Sequence, residues 1–255
     1  MDALQTPARR DPGALPIVER PDVLVVLPTY NEAENLRNIG TAIREHGVGV
    51  LIVDDGSPDG TGDIADSMAH ADARIQVLHR RVKQGLGPAY AAGFAVGIES
   101  GAGIICEMDA DFSHDPDDLR RLVQAIDDGA DVAIGSRYVP GGGASGWAPH
   151  RRLISMGGNW YARTMLGTSI RDMTAGFRAY RAEALMLLDP RSCEASGYGF
   201  QVEMAWRAAR AEMDVREVPI VFRERREGTS KMTTAIAFEA MRLVTSWGWR
   251  RMLRR

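Results

Sequence analysis

The chain has 255 residues, of which 45% are hydrophobic and 25% charged, and its 31 basic and 34 acidic residues give a formal net charge of −3. This composition is typical of a globular protein with one well-filled core, and it does not favour nucleic acid as a partner. Two cysteines argue against a disulfide framework and against a cysteine-based zinc site. No run of about 18 apolar residues and no signal peptide is present, so we expect a cytoplasmic protein without a membrane-spanning helix.

The first 21 residues contain four prolines and no apolar periodicity, which predicts a flexible leader. Apolar runs of strand length then alternate with helical patterns. Strands are predicted at 23–27, 50–53, 75–79, 104–108 and 132–134, and helices at 33–45, 61–69, 88–98 and about 116–126. Successive β-α units indicate a mainly parallel sheet covered by helices, and strands that are apolar nearly throughout indicate burial on both faces.

The pattern loosens after residue 135. A glycine-rich loop at 137–149 precedes helices near 153–166 and 200–211, a strand at 215–222 and a last helix from about 233. No internal repeat or linker separates two cores. We therefore predict one α/β domain over 22–232, followed by a basic amphipathic helix over 233–255.

Polar clusters follow three of the predicted strands. They are Pro-Thr-Tyr-Asn-Glu at 28–32, Asp-Asp-Gly-Ser at 54–57 and Asp-Ala-Asp at 109–111. Because the carboxyl ends of parallel strands meet at one edge of a sheet, these clusters predict a single site. The turn at 54–60 has two interpretations: a plain strand-ending turn, or a carboxylate placed against the ribose or base of a nucleotide.

Asp109 and Asp111 form a candidate metal site. On an extended strand end, side chains two residues apart share a face, so the two carboxylates would point to one place. Oxygen ligands of this kind suit Mg²⁺ or Mn²⁺. The alternative is that one carboxylate caps the following helix and the other is solvated.

These motifs, taken together, resemble those of the family 2 glycosyltransferases of the GT-A fold, of the type that makes dolichyl- or polyprenyl-phosphate mannose. The resemblance covers about residues 22–232. It is carried by the three clusters above and by Gly-Leu-Gly at 85–87, Gly-Ser-Arg-Tyr at 135–138, Asp172, Thr174, Gly-Phe-Arg at 176–178, Gly-Phe-Gln at 199–201 with Glu203, and Gly-Thr-Ser-Lys at 228–231. It implies a single Rossmann-like GT-A domain.

The resemblance also implies roles for particular residues. The positions that match nucleotide-binding residues are Pro28, Tyr30, Glu32, Val53 and Asp55. The metal and diphosphate site corresponds to Asp109, Ala110 and Asp111, and the positions that meet donor or acceptor phosphates are Arg137, Arg151, Arg225 and Lys231. Of these, Asp111, Arg137 and Lys231 are expected to act in catalysis.

The implied reaction transfers mannose from GDP-mannose to a polyprenyl phosphate with inversion, assisted by Mg²⁺ or Mn²⁺. Alternatives are a polyprenyl-phosphate glucosyltransferase and a non-catalytic scaffold that binds nucleotide sugars. A glycosidase-type carboxylate pair is a further alternative, but no apolar pocket is evident that would raise one carboxyl pKa.

The C-terminal region is the most basic part of the chain. Residues 223–255 carry nine basic and three acidic side chains. In the predicted last helix, Ala237, Met241, Val244, Trp247 and Met252 fall roughly on one side. This pattern suits a helix that lies on the cytoplasmic face of an anionic membrane, and packing on the domain or on a membrane-embedded partner is the alternative.

Overall fold

The computed structural model describes residues 20–195, 197, 199–224 and 234–253, without the side chains of residues 21 and 234–238. Most of the predicted leader lies outside the described residues, as do Arg225 and Lys231. The strands are β1 (Arg20–Thr29), β2 (Val48–Asp54), β3 (Ile75–His79), β4 (Ile104–Glu107), β5 (Val132–Ser136), β6 (Gly143–Ser145), β7 (Arg178–Arg181), β8 (Val215–Pro219) and β9 (Val221–Arg223). The helices are α1 (Ala33–Arg44), α2 (Thr61–Ala71), α3 (Leu86–Glu99), α4 (Leu119–Asp127), α5 (Pro149–Leu166), α6 (Ala182–Leu188), α7 (Gly199–Arg210) and α8 (Thr234–Leu253).

Seven strands form one mainly parallel sheet, as predicted. Their order is β3-β2-β1-β4-β7-β5-β8, and β7 alone among them runs antiparallel to its neighbours. Val25 of β1 pairs with Val50 of β2 on one side and with Cys106 of β4 on the other. All three side chains are fully buried. Val26, whose side chain points to the opposite face, is also fully buried, so these central strands are covered on both faces, as their apolar sequences predicted.

β3 departs from that prediction because it is the edge strand of the sheet. Only Ile75 is buried, whereas Gln76 and His79 are exposed. An edge strand has one unpaired side and tolerates polar residues there. The expectation of burial on both faces is wrong for this strand.

β7 and α6 were not predicted from the sequence. β7 inserts between β4 and β5 although it contains two arginines, Arg178 and Arg181. The Arg181 guanidinium donates to the carbonyl oxygens of Ile126 and Ala130, at 2.9 and 3.2 Å. Two charged residues in four make this segment unlike a buried strand in sequence. Hydrogen-bond partners far away in the chain allow the arginine to lie in the sheet.

The predicted strand at 215–222 is two strands. The sheet partner of β8 is β5, whereas β9 pairs with β6 in a separate two-stranded sheet. Between them the buried Ile220 donates its backbone N–H to the Ser136 carbonyl at 3.1 Å. The chain thus leaves the main sheet at Ile220 and leads toward the segment that precedes α8.

The core has a layer on each face of the main sheet. Leu24 and Val26 of β1 face the layer that contains Tyr90 and Phe94 of α3 and residues of α5 to α8, and Val25 faces the layer formed by α1, α2 and α4. The alternation follows from the two-residue period of a strand. Neither layer covers the carboxyl ends of the parallel strands, where the loops lie.

α8 packs on the domain through part of its predicted apolar side. Val244 and Trp247 are buried, and the Trp247 ring stacks on Trp206 of α7 at a centroid distance of 5.4 Å. Met241 and Met252 of the same predicted side are about half exposed, at 53% and 50%. Trp247 is therefore a core residue and not a membrane-facing one. Among the described helices, we find none with the length and hydropathy that a membrane span requires.

Candidate active site

The three polar clusters meet at one edge of the sheet, as predicted. Thr29 pairs with Asp54 at the ends of β1 and β2, and the backbone N–H of Asp55 donates to the Thr29 carbonyl at 3.0 Å. On the other side of β1, the N–H of Met108 donates to the Val26 carbonyl at 3.3 Å, just before Asp109. Parallel pairing of β1 with both neighbours thus brings the loops after three strands together.

The first two loops are joined by hydrogen bonds. The N–H of Asn31 donates to Ser57 Oγ and that of Glu32 to Thr61 Oγ1, both at 3.0 Å. Asn31 has a φ of 57°, a left-handed conformation that asparagine tolerates better than most residues. Asp54 accepts from the backbone N–H and the hydroxyl of Ser57. Asp54 therefore maintains the turn, which leaves Asp55 as the carboxylate available for a ligand role.

The predicted nucleotide-binding residues line this edge, but not all by their side chains. Pro28 and Val53 pair directly in the sheet. The side chains of Val53 and Ala110 are buried, so contacts of these two residues with a ligand would use the main chain. Tyr30 and Glu32 are partly exposed.

Two basic residues that sequence reasoning missed come from the loop between β3 and α3. Lys83 Nζ lies 3.7 Å from the centre of the Tyr30 ring. The Arg80 guanidinium forms an ion pair with the buried Asp55 carboxylate. Burial raises the pKa of Asp55, and the nearby charge of Arg80 opposes that rise. The signal in the sequence was the basic run that follows β3.

Asp109 and Asp111 lie beyond the strand and not on it. β4 ends at Glu107, and Phe112 has a φ of 58°, so the argument from alternating strand faces does not apply to this pair. Asp109 Oδ1 accepts from the Tyr90 hydroxyl at 3.2 Å, and Asp111 Oδ1 accepts from the N–H of Ser113 at 3.0 Å. Each carboxylate thus accepts a hydrogen bond from another residue of the protein.

The alternative in which one of these carboxylates caps the next helix is excluded by the structure. Asp115 caps the 3₁₀ turn at 116–118 that leads into α4, since its Oδ1 accepts from the N–H of Asp117 at 3.2 Å. Neither Asp109 nor Asp111 is therefore the N-cap residue of this turn or of α4. Asp111 is 7% exposed, and a carboxylate this buried needs polar or cationic partners.

The donor set fits a hard divalent cation held jointly with a substrate. Within the described part of the chain, no group of three or more His, Cys, Asp or Glu side chains has a geometry that would hold a metal alone. Mg²⁺ commonly binds through one or two carboxylates together with substrate phosphates and water. Asp109 and Asp111 would supply those two carboxylates, and Ser113 Oγ, close to Asp111, is buried without a hydrogen-bond partner among the described residues.

A buried polar network lies beneath this pair. Glu107 and Arg178 face each other across β4 and β7, both fully buried, with 3.4 Å between Arg178 Nε and Glu107 Oε1. The Arg178 guanidinium also donates to the carbonyl oxygens of Met173 and Ala175, at 3.0 and 2.9 Å. Burial raises the pKa of Glu107 to about 7, and Arg178 opposes the rise. This network fixes the loop at 173–176 against the end of β4.

Arg137 is enclosed. Its Nε and Nη2 donate to the two carboxylate oxygens of the fully buried Asp172 at 2.8 and 2.6 Å, and Nη2 also donates to Thr174 Oγ1 at 2.8 Å. These bonds do not use Nη1. The Trp147 ring, 5.3 Å from the guanidinium carbon, also contacts Arg151 at 4.5 Å.

The structure thus brings Arg137 and Arg151 to one aromatic side chain. Arg151 further donates to Glu224 Oε1 at 3.0 Å. Glu224 is the last residue described before the segment that contains Arg225 and Lys231. The two remaining predicted phosphate-binding residues are one and seven residues beyond Glu224 in the sequence.

The fold is that of the GT-A class of proteins. The glucosyl-3-phosphoglycerate synthase of Mycobacterium tuberculosis, solved with Mn²⁺, UDP and glucosyl-3-phosphoglycerate, superposes with a TM-score of 0.63 at 20% identity, covering 88% of this chain and 77% of that one. A mannosyltransferase of Pyrobaculum calidifontis, solved with GDP-Man and Mn²⁺, gives 0.59 at 16% identity over 97% and 68%. At these identities the likeness establishes the fold.

The family follows from sequence comparison. Residues 24–188 match the model of glycosyl transferase family 2, and the chain belongs to this family. The polyprenol monophosphomannose synthase of Mycolicibacterium smegmatis is 48% identical over 259 residues, covering 99% of this chain and 98% of that protein. The undecaprenyl-phosphate mannosyltransferase of Micrococcus luteus is 50% identical over 230 residues, covering 89% and 93%.

Proposed function

We propose that this protein transfers mannose from GDP-mannose to a polyprenyl phosphate, giving polyprenyl-phosphate mannose and GDP. The observation that carries the proposal is identity of 48% and 50%, over nearly full length, to two enzymes named for this product or transfer. The carboxylate edge agrees with it, because a sugar diphosphate donor needs a site that binds a nucleoside and a charged leaving group together.

The acceptor supplies its own nucleophile. A phosphate monoester has a second pKa near 6 and is largely dianionic at neutral pH, so its oxygen needs no general base. That oxygen forms a bond to C1 of mannose while the bond from C1 to the GDP oxygen breaks, and attack from the opposite face inverts the anomeric configuration. The two electrons of the broken bond leave with GDP.

The site residues divide between the two ends of the donor. Tyr30, Glu32 and Asp55 would bind the nucleoside together with the main chain at Pro28 and Val53. Asp109 and Asp111, with the main chain at Ala110, would hold the diphosphate through Mg²⁺ or Mn²⁺. Such a cation, when bound, neutralises charge on the departing diphosphate.

The acceptor phosphate would lie near the arginines. Arg137 and Arg151 share the Trp147 ring, and Arg225 and Lys231 follow nearby in the sequence. Guanidinium groups are suited to phosphate because they donate two parallel hydrogen bonds. We place Arg137 and Lys231 with Asp111 as the residues whose charges stabilise the transition state.

We further propose that the protein works at the cytoplasmic face of a membrane, by peripheral attachment or through a membrane-embedded partner. The side of α8 turned away from the domain supports this. It exposes Trp249, Met252 and Leu253, and the neighbouring Arg250 is exposed as well although it also pairs with Glu194 of the domain. Aromatic and apolar side chains next to arginines suit the headgroup region of an anionic bilayer.

The test is transfer of labelled sugar. The protein is incubated with polyprenyl phosphate, Mg²⁺ and labelled GDP-mannose, UDP-glucose or GDP-glucose, and the lipids are extracted into organic solvent. We expect label in the organic phase with GDP-mannose alone. Label from a glucose donor would make the protein a glucosyltransferase, and no label with any donor would favour a binding scaffold.

A further inference from the structure

The Asp55 carboxylate is held from outside its own strand. Arg80, the residue after β3, donates through Nη1 to Asp55 Oδ1, and the two side chains are 12% and 6% exposed. The second arm of the guanidinium, Nη2, donates to Gln84 Oε1 at 2.8 Å. Both ends of the Arg80 fork are therefore occupied within the protein.

The backbone also fixes Arg80 relative to Asp55. The N–H of Arg80 donates to the Asp54 carbonyl at 2.8 Å, which extends the pairing of β2 with β3 by one residue. Gly56, in a left-handed conformation with a φ of 70°, lies so close that a Cβ there would be 3.3 Å from the Arg80 carbonyl oxygen. The backbone of Arg80 is thus placed by the sheet, and its side chain starts from a fixed position beside Asp55.

The charge of Arg80 has a chemical consequence for Asp55. Burial favours the neutral carboxyl, and the cation opposes this. Its neighbour Asp54 also acts on Asp55 and favours the neutral form. A neutral carboxyl presents a hydroxyl donor and fewer acceptors, whereas a carboxylate offers about four acceptor positions.

The number of acceptors matters for the donor base. Guanine presents two adjacent donors on one edge, N1–H and the 2-amino group, whereas uracil presents one, N3–H. Within the protein, Arg80 and the backbone N–H of Gln84 each donate a hydrogen bond to the Asp55 carboxylate. About two acceptor positions then remain, which equals the number that guanine needs.

From this geometry we propose that Arg80 is a positioning residue for the donor nucleoside. It holds Asp55 as an oriented carboxylate that accepts from the N–H edge of guanine, and it does not touch the nucleotide. The inference rests on the proposed function, because it takes the donor to be a guanine nucleotide that binds at Asp55.

The test is calorimetric titration of the full chain with GDP and with IDP, which lacks the 2-amino group, both in Mg²⁺. The variants are Arg80→Met, Arg80→Lys, Asp55→Asn and the double variant Arg80→Met with Asp55→Asn. Arg81→Met, at the exposed next position of the same loop, is the matched control for loss of one positive charge. Thermal unfolding of each variant reports on its fold.

We expect Arg80→Met to lower GDP affinity about tenfold or more, the scale of a charged hydrogen bond, and Arg80→Lys to restore part of it. The preference for GDP over IDP should fall in Arg80→Met. Arg81→Met should stay within about twofold of the parent, since screened surface charges contribute little. In the Asp55→Asn background, removal of Arg80 should cost nothing further, because Arg80 acts only through Asp55.

Three results would overturn the inference: unchanged GDP affinity in Arg80→Met, an equal loss in the Asp55→Asn background, or equal affinity of the parent chain for GDP and IDP. If Arg80→Met does not fold, the same cycle is run with Arg80→Lys, whose effect must also vanish in Asp55→Asn. Because these titrations contain no acceptor, their outcome is separate from transfer. GDP binding with the expected pattern but no transfer of mannose would contradict the proposed function alone.

Discussion

The individual carboxylates at the strand ends differ in their hydrogen-bond and ion-pair partners, and these partners determine the role that each carboxylate can have. Asp54 accepts a hydrogen bond from the Ser57 hydroxyl within the turn, and Asp55 forms an ion pair with Arg80. Asp109 accepts a hydrogen bond from the Tyr90 hydroxyl. The pKa of Tyr90 is raised well above its usual value, chiefly by burial and next by the charge of Asp109. The Tyr90 hydroxyl therefore stays protonated and remains a donor. Asp111 accepts a hydrogen bond from the backbone N–H of Ser113.

Asp111→Asn tests the metal-binding role at nearly constant volume. We expect mannosyl transfer to fall at least about a hundredfold, on the scale of losing one transition-state charge interaction, while the melting temperature changes little. The measurement is initial rate of lipid labelling at saturating Mg²⁺. Asp63→Asn, on the exposed surface of α2, is the control. Near-parental transfer by Asp111→Asn, or by the parent chain in chelator, would remove the cation from the mechanism.

Because the His114 imidazole is buried, we expect the stability of the protein to depend on pH. Burial lowers the pKa of this imidazole from 6.5 to about 4, and its ring stacks on Phe177 at a centroid distance of 5.1 Å. Because the folded state binds this proton less readily than the unfolded state, the stability present above pH 6.5 is lost as pH falls toward 4. Between pH 7.5 and 5 the loss from this one group is about 2 kcal/mol.

His114→Phe retains an aromatic ring and removes the proton. Its free energy of unfolding in urea should fall less between pH 7.5 and 5 than that of the parent, by about 2 kcal/mol. His70→Phe, at an exposed position of α2, is the control and should leave the parental slope unchanged. Parallel pH profiles for parent and His114→Phe would contradict the assignment of a buried neutral imidazole.

At the scale of elements, the two sides of α8 differ in burial. Trp247 is 2% exposed and donates through Nε1 to Glu194 Oε2 at 3.3 Å. Trp247→Ala should lower the free energy of unfolding by about 3 to 5 kcal/mol, because it leaves a cavity against Trp206. Urea unfolding monitored by circular dichroism measures this. A loss below about 1 kcal/mol would mean that α8 is not part of the core.

Trp249 belongs to the other side of α8 and is 59% exposed. Trp249→Ala should change stability by no more than about 0.5 kcal/mol and should weaken cosedimentation with anionic vesicles. The remaining attachment should decrease as salt is raised, because charges are screened over about 8 Å at physiological ionic strength. Unchanged vesicle binding in Trp249→Ala would assign membrane attachment to another surface or to a partner.

The elements show what a sequence of this kind predicts well. β1, β2 and β4 are apolar runs, and the helices between strands have clear periodicity, so the succession of these elements along the chain and the parallel direction of the strands followed directly. β7 was missed because Arg178 and Arg181 satisfy their charges with groups far away in sequence. β8 and β9 were merged because the break at Ile220 depends on which strand each half meets, and an apolar run carries no such information.

At the scale of the whole molecule, motif order predicted the edge where the site lies, but not the contacts across it. The pairs Arg80 with Asp55 and Arg137 with Asp172 join loops that are 25 and 35 residues apart. Topology alone decides that these loops meet. Arg137 was predicted from its motif as a phosphate ligand, and the structure adds that Asp172 and Thr174 hold two of its three nitrogens.

The whole arrangement leads to one chemical claim, direct attack of a lipid phosphate on C1 of the donor mannose. The measurement that tests it most directly is the anomeric configuration of the product made from GDP-mannose and polyprenyl phosphate, determined by NMR with GDP quantified in parallel. We predict a β-mannosyl phosphate lipid and one GDP per lipid formed. An α-linked product, or GDP released with free mannose and no mannosyl lipid, would contradict the account.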